Sequence, residues 1–296
     1  YSSMPKSVFQ IGCSDGYTLH RMKEFGAEEV KGIDLGQSSC DLALERYGID
    51  VACGDFESYD LGDQKFELLI LTHVLEHLFD PVSVLKKCNK IQKEQGKLVI
   101  EVPLLENADR FPPGIFALEH LNYFSESSIC ETINRSGYSI EMVVKDFSPL
   151  EYPIITLFCV KGSKYIGQYQ DKLNYRSNRA LINQYMDSEK KSYKQIENKI
   201  HESIQKDGRV YIYGAGIHTS QLLANTDLEE YLEIISILDS SPTKWGCKIG
   251  EYLCVNPKEV NDKVDAVIIS SYSSEDEIYD SIKDQYDHAL VLRLYG

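Results

Sequence analysis

The sequence predicts an α/β protein in which short buried strands alternate with helices around parallel sheets. Apolar runs such as Val8 to Ile11 and Phe66 to Leu71 have the composition of strands that are buried on both faces. A strand, a turn with glycines and a helical pattern also follow one another twice, at residues 8–25 and 209–219. Because 296 residues are enough for two domains, we assign one such corner to each domain.

The first corner is the better candidate for a nucleotide site. Gly12 and Gly16 bound its turn, and a helical pattern in Leu19, Met22 and Phe25 follows. Glycine lets the backbone approach a ligand, and the start of the helix offers free N–H groups. The next predicted strand ends in Asp34, and a carboxylate there can accept hydrogen bonds from ribose hydroxyls. The dinucleotide pattern also requires glycine at positions 14 and 17, which are serine and tyrosine here, and an ordinary structural corner is the alternative.

Composition limits the partners and the compartment. The net charge of −15 counts against nucleic acid, whose non-specific binding depends on basic surface. No apolar run reaches membrane-spanning length, and no signal peptide is visible ahead of the first strand. The eight cysteines are scattered, and Cys13, Cys53 and Cys159 lie in apolar runs, so we expect buried free thiols in a reducing cytoplasm. A zinc site at Cys247 and Cys254 is the weaker alternative.

Residues 37–103 continue the alternation of helices and strands. Ser38 is a candidate N-cap for a helix that ends at Gly48, and a third strand follows at residues 51–53. After Leu71 the chain contains the letters H-x-x-E-H, the pattern of an inverted zinc protease motif. That motif needs both histidines on one helix, whereas His73 here abuts a buried strand and Pro81 soon opens another helix. The sequence therefore predicts no metal at these histidines.

Three segments in order resemble the motifs of class I S-adenosylmethionine (SAM) methyltransferases. They are the spacing Gly12-x-Ser14-x-Gly16, the stretch from Leu71 to Pro81 with "LEH", and the strand from Gly96 to Pro103. The resemblance implies a Rossmann-like sheet with SAM as the cofactor. It also implies the following site: Gly12, Ser14 and Gly16 at the methionine moiety, Asp34 at the ribose, Asp55 and Phe56 at the adenine, Thr72 in the cofactor pocket, and His73 near the sulfonium. For His77, capping or core packing is an equal alternative.

A second resemblance narrows the family. Residues 117–124 resemble the Y-H-E-H-x-x-Y-F signature of bacterial sugar C-methyltransferases, and Glu119, His120, Tyr123 and Phe124 match it. The resemblance implies that His120 is the general base, that Glu119 orients it and that Tyr123 contacts the substrate. Ala117 and Leu118 replace the tyrosine and first histidine of the signature, which help to contact the sugar in that family, so C-methylation is in doubt.

The remainder of the first domain is predicted as a capped helix and two strands. Ser125 or Ser127 caps a helix that Gly137 ends, and the two strands cover residues 138–144 and 154–160. In the family's sheet one of these last strands is antiparallel. Apolar residues at helical spacing between residues 162 and 208 then predict one or two connecting helices, whose stripe we expect to pack against protein.

The second corner predicts a smaller Rossmann-like α/β domain. Gly214 and Gly216 form its turn, the next strand ends in Asp239, and Lys244 and Gly246 follow in a loop. These residues resemble the C-terminal domain of the same sugar C-methyltransferases, which implies that Gly214, Gly216 and Lys244 bind substrate. The family's N-terminal zinc domain is not expected, since little sequence precedes Val8. The predicted organisation is a SAM-binding domain at 1–161, a helical linker at 162–208 and a C-terminal domain at 209–296.

The favoured function is SAM-dependent methyl transfer to a sugar, either nucleotide-linked or part of a surface glycan pathway. Two alternatives stay open: an NAD-dependent oxidoreductase that uses Gly214 and Gly216, and a non-catalytic binding module that keeps a SAM fold. The sequence predicts neither the acceptor, nor whether carbon or oxygen is methylated, nor the oligomeric state.

Overall fold

The structure is a computed structural model that describes residues 4–107, 119–147, 153–162, 175–260 and 262–296. The described part of the chain forms two compact units, the first up to residue 183 and the second from residue 184. The division near residue 183 falls inside one long helix, Tyr175–Ser203. The predicted linker, 162–208, overlaps this helix, and its residues 163–174 lie outside the described part of the chain.

The first unit alternates strands and helices from its start. The described strands are β1 (Ser7–Ile11), β2 (Glu29–Asp34), β3 (Ala52–Cys53), β4 (Phe66–Thr72), β5 (Gln92–Pro103), β6 (Tyr138–Asp146) and β7 (Ile154–Lys161). The helices between them are α1 (Tyr17–Glu24), α2 (Gln37–Tyr47), α3 (Pro81–Ile91) and α4 (Glu126–Arg135), and a 3₁₀ turn covers Leu75–His77.

Within the described residues these strands form one sheet in the order β3-β2-β1-β4-β5-β7-β6. The pairs along β3-β2-β1-β4-β5 are parallel, and β7 is antiparallel to both of its neighbours. This confirms the α/β fold and the single antiparallel strand that the methyltransferase resemblance implied. Because β1, β2, β3, β4 and β5 point the same way, the residues after their carboxyl ends share one edge of the sheet, where such folds bind ligands.

Local signals set most of the helix ends. Gly48 ends α2 in the left-handed conformation with φ 62°, and Pro81 is the first residue of α3, whose N-cap is Asp80. Ser125 caps α4 in a capping box with Ser128. The prediction of Ser38 as an N-cap is wrong. The helix starts at Gln37 because Asp34 Oδ1 accepts a hydrogen bond from Gly36 N at 2.9 Å and turns the chain earlier.

The core of the first unit lies on both faces of the sheet. One buried cluster contains Phe9, Phe66, Leu71 and Ile100, and the opposite face buries Val8 and its neighbours. The expectation of buried free thiols is confirmed for Cys13 and Cys159 but is wrong for Cys53, which is exposed because β3 is a two-residue strand at the edge of the sheet. Phe25 also departs from the predicted helical face, since it lies beyond α1 and is exposed.

The second unit repeats the parallel arrangement on a smaller scale. Its described strands are β8 (Arg209–Tyr213), β9 (Glu233–Leu238), β10 (Lys248–Ile249), β11 (Tyr252–Val255), β12 (Ala266–Ile269) and β13 (Leu290–Arg293), in the order β10-β11-β9-β8-β12-β13. Only the hairpin of β10 and β11 is antiparallel among the described pairs. The chain runs from β8 outward to β9 on one side and later to β12 on the other, so β8 lies at a switch point where open α/β sheets bind ligands.

The helices of the second unit are α5 (Tyr175–Ser203), which the two units share, α6 (Ile217–Asn225), α7 (Leu228–Tyr231) and α8 (Glu275–Ile282). Tyr193, Ile196, Ile200 and Ile204 are buried in the core of this unit, which confirms that their apolar stripe packs against protein. None of the helices in the described ranges is apolar over a membrane-spanning length.

Candidate active site

A carboxylate holds the glycine turn after β1 in place. Asp34 Oδ2 accepts a hydrogen bond from Ser14 N at 2.8 Å, while its Oδ1 accepts from Gly36 N at 2.9 Å. Gly12 N and Cys13 N both donate to Ile33 O, at 2.9 and 3.3 Å. The turn after β1 is therefore tied to the end of β2 before any ligand is present. Each carboxylate oxygen has a second lone pair, so Asp34 can still accept from a ribose hydroxyl.

The backbone of this turn requires small residues. Gly12, Ser14 and Gly16 have φ angles of 66°, 47° and 78°, and Ser14 is the non-glycine residue among them. A Cβ on Gly12 would lie 2.5 Å from Val74 Cγ2, and one on Gly16 would lie 2.9 Å from Ala43 Cβ. The turn packs so tightly that its glycines cannot carry a side chain, which fits a loop that wraps a ligand with its backbone.

The end of β3 lies directly beside Asp34, because Gly54 N donates to Asp34 O at 2.8 Å. The next residue, Asp55, accepts from Glu57 N with Oδ1 at 2.8 Å and so shapes the following turn. Phe56 is only 6% exposed, and its ring packs on Phe9 and beneath the ammonium group of Lys87.

Burial leaves the ring of Phe56 little surface for an adenine. Leu35, in contrast, follows Asp34 and is 77% exposed. Leu35 therefore offers apolar surface at this edge that Phe56 does not. Sequence reasoning missed Leu35, although its position directly after the acidic strand end was a usable signal.

His73 is held in a strained position at the end of β4. It follows Thr72 with a φ of 53°, and its N–H donates to Glu101 O at 3.0 Å. Its Nε2 lies 3.5 Å from Glu101 Oε1 and its Nδ1 lies 3.4 Å from Glu76 Oε1. The carboxylates of Glu101 and Glu76 together raise the pKa of His73 to about 9. His73 therefore carries a positive charge at neutral pH, which counts against its use as a general base.

His77 and His120 lie beside each other and close to Glu76. Their ring centroids lie 4.8 Å apart, edge to face, and the ring of Tyr123 lies 5.9 Å from that of His120. His77 Nδ1 lies 2.9 Å from Glu119 O, where it donates because a carbonyl can only accept. Burial lowers the pKa of His120, and the nearby His77 adds to the effect.

Asn122 ties the segment that carries His120 to the 3₁₀ turn. Its Nδ2 donates to Leu78 O at 2.6 Å, and Leu121 N and Asn122 N both donate to Glu76 O, at 2.8 and 2.9 Å. Glu119, which was predicted to orient His120, contacts His77 instead: its backbone carbonyl accepts from His77 Nδ1, while its side chain is exposed. Sequence reasoning gave Asn122 no role, and Ala117 and Leu118 lie outside the described residues.

The second unit holds its own glycine turn in the same way. Asp239 Oδ2 accepts from Ala215 N at 2.8 Å and from Lys244 Nζ at 2.9 Å, and Oδ1 accepts from Ser241 N at 2.8 Å. A Cβ on Gly214, whose φ is 119°, would lie 2.6 Å from Ser270 O. Lys244, predicted to bind substrate, is therefore engaged with Asp239 beside the turn.

Beyond this turn the polar groups join into one network. His218 Nδ1 lies 2.8 Å from Ser270 Oγ, and its Nε2 contacts the hydroxyl of Tyr295. Thr219 Oγ1 donates to Gly214 O and lies 2.8 Å from Ser270 Oγ, from which it can accept. Thr219 is fully buried at the position where a dinucleotide-binding turn has its third glycine.

Comparison with known families agrees with the geometry of the first unit. Residues 9–100, which include the glycine turn, Asp34 and the end of β4, match the family model described as methyltransferase domain. Over these residues the first unit is similar to a SAM-dependent methyltransferase domain. Residues 206–288 match a second model, described as C2185-like, N-terminal, which covers most of the sheet of the second unit.

Individual relatives match the methyltransferase domain over part of their length. A ubiquinone biosynthesis O-methyltransferase of Idiomarina loihiensis is 35% identical over 124 residues, which are 39% of this chain and 49% of the relative. The enzyme of the same name from Coxiella burnetii is 31% identical over 98 residues, 31% of this chain and 42% of the relative. The chain thus spans about half the length of these relatives, or less.

Solved structures with a similar fold include a putative SAM-dependent methyltransferase of Listeria monocytogenes. It is 15% identical, covers 54% of this chain and 92% of its own, and has a TM-score of 0.45. A Haloferax volcanii complex of the Trm112 methyltransferase activator and a putative methyltransferase gives 13% identity, 54% and 83% coverage, and a TM-score of 0.47.

Proposed function

We propose that the protein transfers a methyl group from SAM to an acceptor that enters between the ends of β4 and β5 and the loop that carries His120. The observation that carries the proposal is the glycine turn at Gly12–Gly16 clasped by Asp34 within a methyltransferase domain. When bound, SAM supplies an electrophilic methyl group on a sulfonium centre. The chain's residues bind it, orient the acceptor and help the acceptor to lose its proton.

The cofactor residues are assigned from their places along the sheet edge. We assign the turn with Gly12, Ser14 and Gly16 to the methionine moiety and Asp34 to the ribose. At the adenine we place Asp55, with the exposed side chain of Leu35 as the apolar surface and Phe56 as support from the core. Thr72, the last residue of β4, lies at the same edge of the sheet and is assigned to the cofactor as well.

The histidines are the groups that meet the acceptor. We propose that His120 activates the acceptor. The backbone carbonyl of Glu119 orients His77, whose ring lies next to that of His120. The positive charge of His73 suits it to hold Glu76 and Glu101 in place rather than to accept a proton. The ring of Tyr123 lies 5.9 Å from that of His120, and we assign it to contact with the acceptor.

For the acceptor we propose a hydroxyl-bearing molecule, with a sugar as the first candidate. The sugar assignment rests on Glu119, His120, Tyr123 and Phe124, which match the sugar methyltransferase signature. A phenolic hydroxyl is the second candidate, because relatives of the methyltransferase domain carry the name ubiquinone biosynthesis O-methyltransferase. A hydroxyl of either kind must lose its proton as the methyl group arrives, which the histidine pair can assist.

The second unit is proposed to bind the phosphate or nucleotide portion of the acceptor. Its turn at Gly214–Gly216 opens helix α6 at the switch point of the sheet, where backbone N–H groups favour anions. An NAD-dependent reaction at this turn is the alternative. One feature favours acceptor binding over it: the buried side chain of Thr219 fills the space that a third glycine would leave.

A turnover assay tests the proposal. The full chain is incubated with SAM and a panel of nucleotide-sugars, free sugars and catechols, and S-adenosylhomocysteine is measured. We expect turnover with at least one hydroxyl acceptor and a loss of about a hundredfold or more in His120→Ala, with SAM affinity retained. SAM binding without turnover on any acceptor would favour the non-catalytic module, and binding of a nicotinamide cofactor that Gly216→Trp abolishes would favour the oxidoreductase.

A further inference from the structure

The side chain of Glu76 is buried without adequate partners. It is 1% exposed, and neither of its carboxylate oxygens makes a hydrogen bond within the described residues. Its nearest cationic group, His73 Nδ1, lies 3.4 Å from Oε1, which is an ion-pair contact. A buried carboxylate normally accepts several hydrogen bonds or binds a cation, because its desolvation is costly otherwise.

Two imidazole nitrogens face the same space. His77 donates from Nδ1 to Glu119 O at 2.9 Å, so in the neutral ring Nε2 carries the lone pair, and that Nε2 lies 3.9 Å from Glu76 Oε1. His120 Nδ1 is buried and also makes no hydrogen bond to any described residue. One ligand atom from each of Glu76, His77 and His120 lies within 4.8 Å of the others.

We propose that Glu76, His77 and His120 bind a divalent transition-metal ion, with Zn²⁺ as the best fit. Two histidines and one carboxylate are a common zinc ligand set, which leaves a fourth position open. Ligands that lie about 2.1 Å from a tetrahedral ion are about 3.4 Å apart. The present separations, of up to 4.8 Å, are larger than this value, so the three side chains must move closer together when the ion binds.

The surroundings of His77 support the assignment. A metal-binding histidine usually donates its other ring N–H to a carbonyl or carboxylate, which fixes its tautomer and orientation. Glu119 O accepts that hydrogen bond here, and Asn122 anchors the segment that carries Glu119 and His120 by donating to Leu78 O at 2.6 Å. The H-x-x-E-H letters thus contribute only two ligands, Glu76 and His77, and the third comes from a loop more than 40 residues later.

The role of this metal ion in catalysis rests on the proposed function, and it changes the way in which His120 would activate the acceptor. An acceptor hydroxyl at the open position of the ion would lose its proton more readily, because a bound divalent cation lowers the pKa of an oxygen ligand. In this arrangement His120 acts on the acceptor through the ion. The transferred methyl group still comes from the sulfonium, and the hydroxyl proton leaves to solvent.

Metal binding is tested without SAM or acceptor. The purified full chain is stripped with a chelator, dialysed and titrated with Zn²⁺ in a calorimeter, and bound metal is counted by mass spectrometry after desalting. We expect one Zn²⁺ per chain and at least tenfold weaker binding in Glu76→Gln and in His120→Ala. The matched control is His201→Gln: His201 Nε2 lies 2.9 Å from Asp227 Oδ1, a histidine–carboxylate pair outside the cluster, and its loss should leave the stoichiometry and affinity unchanged.

A second readout separates a built site from a misfolded variant. Co²⁺ is added in place of Zn²⁺, since its visible absorption reports the number and geometry of its ligands, and circular dichroism checks each variant. Absence of stoichiometric metal binding by the wild type, or binding that the Glu76 and His120 variants leave unchanged, would overturn the site. If metal binds as expected but no acceptor is methylated, the proposed function fails while the metal site stands.

Discussion

Replacing Asp34 by alanine removes two charge-assisted hydrogen bonds at once. The carboxylate accepts from Ser14 N at 2.8 Å and from Gly36 N at 2.9 Å, and in the proposed complex it also accepts from the ribose. Loss of the ribose contact to a charged group costs about 1.5–3 kcal/mol, which weakens SAM binding by roughly 10- to 150-fold. Release of Ser14 from its left-handed conformation, φ 47°, adds to this cost.

Isothermal titration of the full chain with S-adenosylhomocysteine measures the effect. Asp34→Asn should give an intermediate loss, because its amide keeps one acceptor oxygen. The matched control is Asp239→Ala, which removes the corresponding carboxylate of the second unit and its hydrogen bond from Ala215 N at 2.8 Å. If the affinity of Asp34→Ala for S-adenosylhomocysteine is within twofold of the wild-type value, Asp34 does not bind the cofactor. The same conclusion follows if Asp239→Ala weakens this affinity equally.

Three further outcomes are expected. Gly12→Ala should abolish measurable SAM binding, because the new Cβ would lie 2.5 Å from Val74 Cγ2 at a φ of 66°; near-normal affinity in calorimetry would contradict the close packing. Burial lowers the pKa of His218 to about 4, whereas the unfolded chain takes up this proton near 6.5, so the free energy of unfolding of the second unit should fall by about 3 kcal/mol as the pH drops from 6.5 to 4. Fluorescence of the single tryptophan, Trp245, follows this transition in denaturant, and a pH dependence that persists unchanged in His218→Gln would assign it to other groups. A chelator should reduce the rate of methyl transfer about as much as His120→Ala does. Full activity in the presence of the chelator would show that the role of His120 does not require a metal ion.

Most of the strands follow from local signals in the sequence, whereas their order along the sheet does not. Buried runs such as Phe66–Thr72 and the acidic ends at Asp34 and Asp239 identify parallel strands and the edge where they end. The edge strands β10 and β13, of two and four residues, were not predicted, because runs this short resemble loops unless flanking residues mark them, as Gly54 marks the end of β3.

The site was less predictable because its contacts join distant segments. Glu76 and His120 are far apart in sequence, and the hydrogen bonds of Asn122 that bring their segments together leave no pattern in the letters. The H-x-x-E-H letters do not reveal the candidate metal site either, because its third ligand, His120, is distant in sequence from Glu76 and His77. The aromatic side chain of Phe56 was assigned to the adenine from its neighbours, whereas packing against Phe9 directs it into the core.

The two glycine turns, which Asp34 and Asp239 hold in place, affect how fast ligands bind. In both units a carboxylate at the end of the neighbouring strand already fixes the turn through a backbone N–H, Ser14 N in one and Ala215 N in the other. A loop that is ordered beforehand does not have to lose conformational entropy when its ligand arrives. Association at either turn should therefore be a single diffusional step whose rate rises in proportion to ligand concentration. A plateau in that rate under stopped-flow mixing would reveal a slow rearrangement elsewhere in the chain.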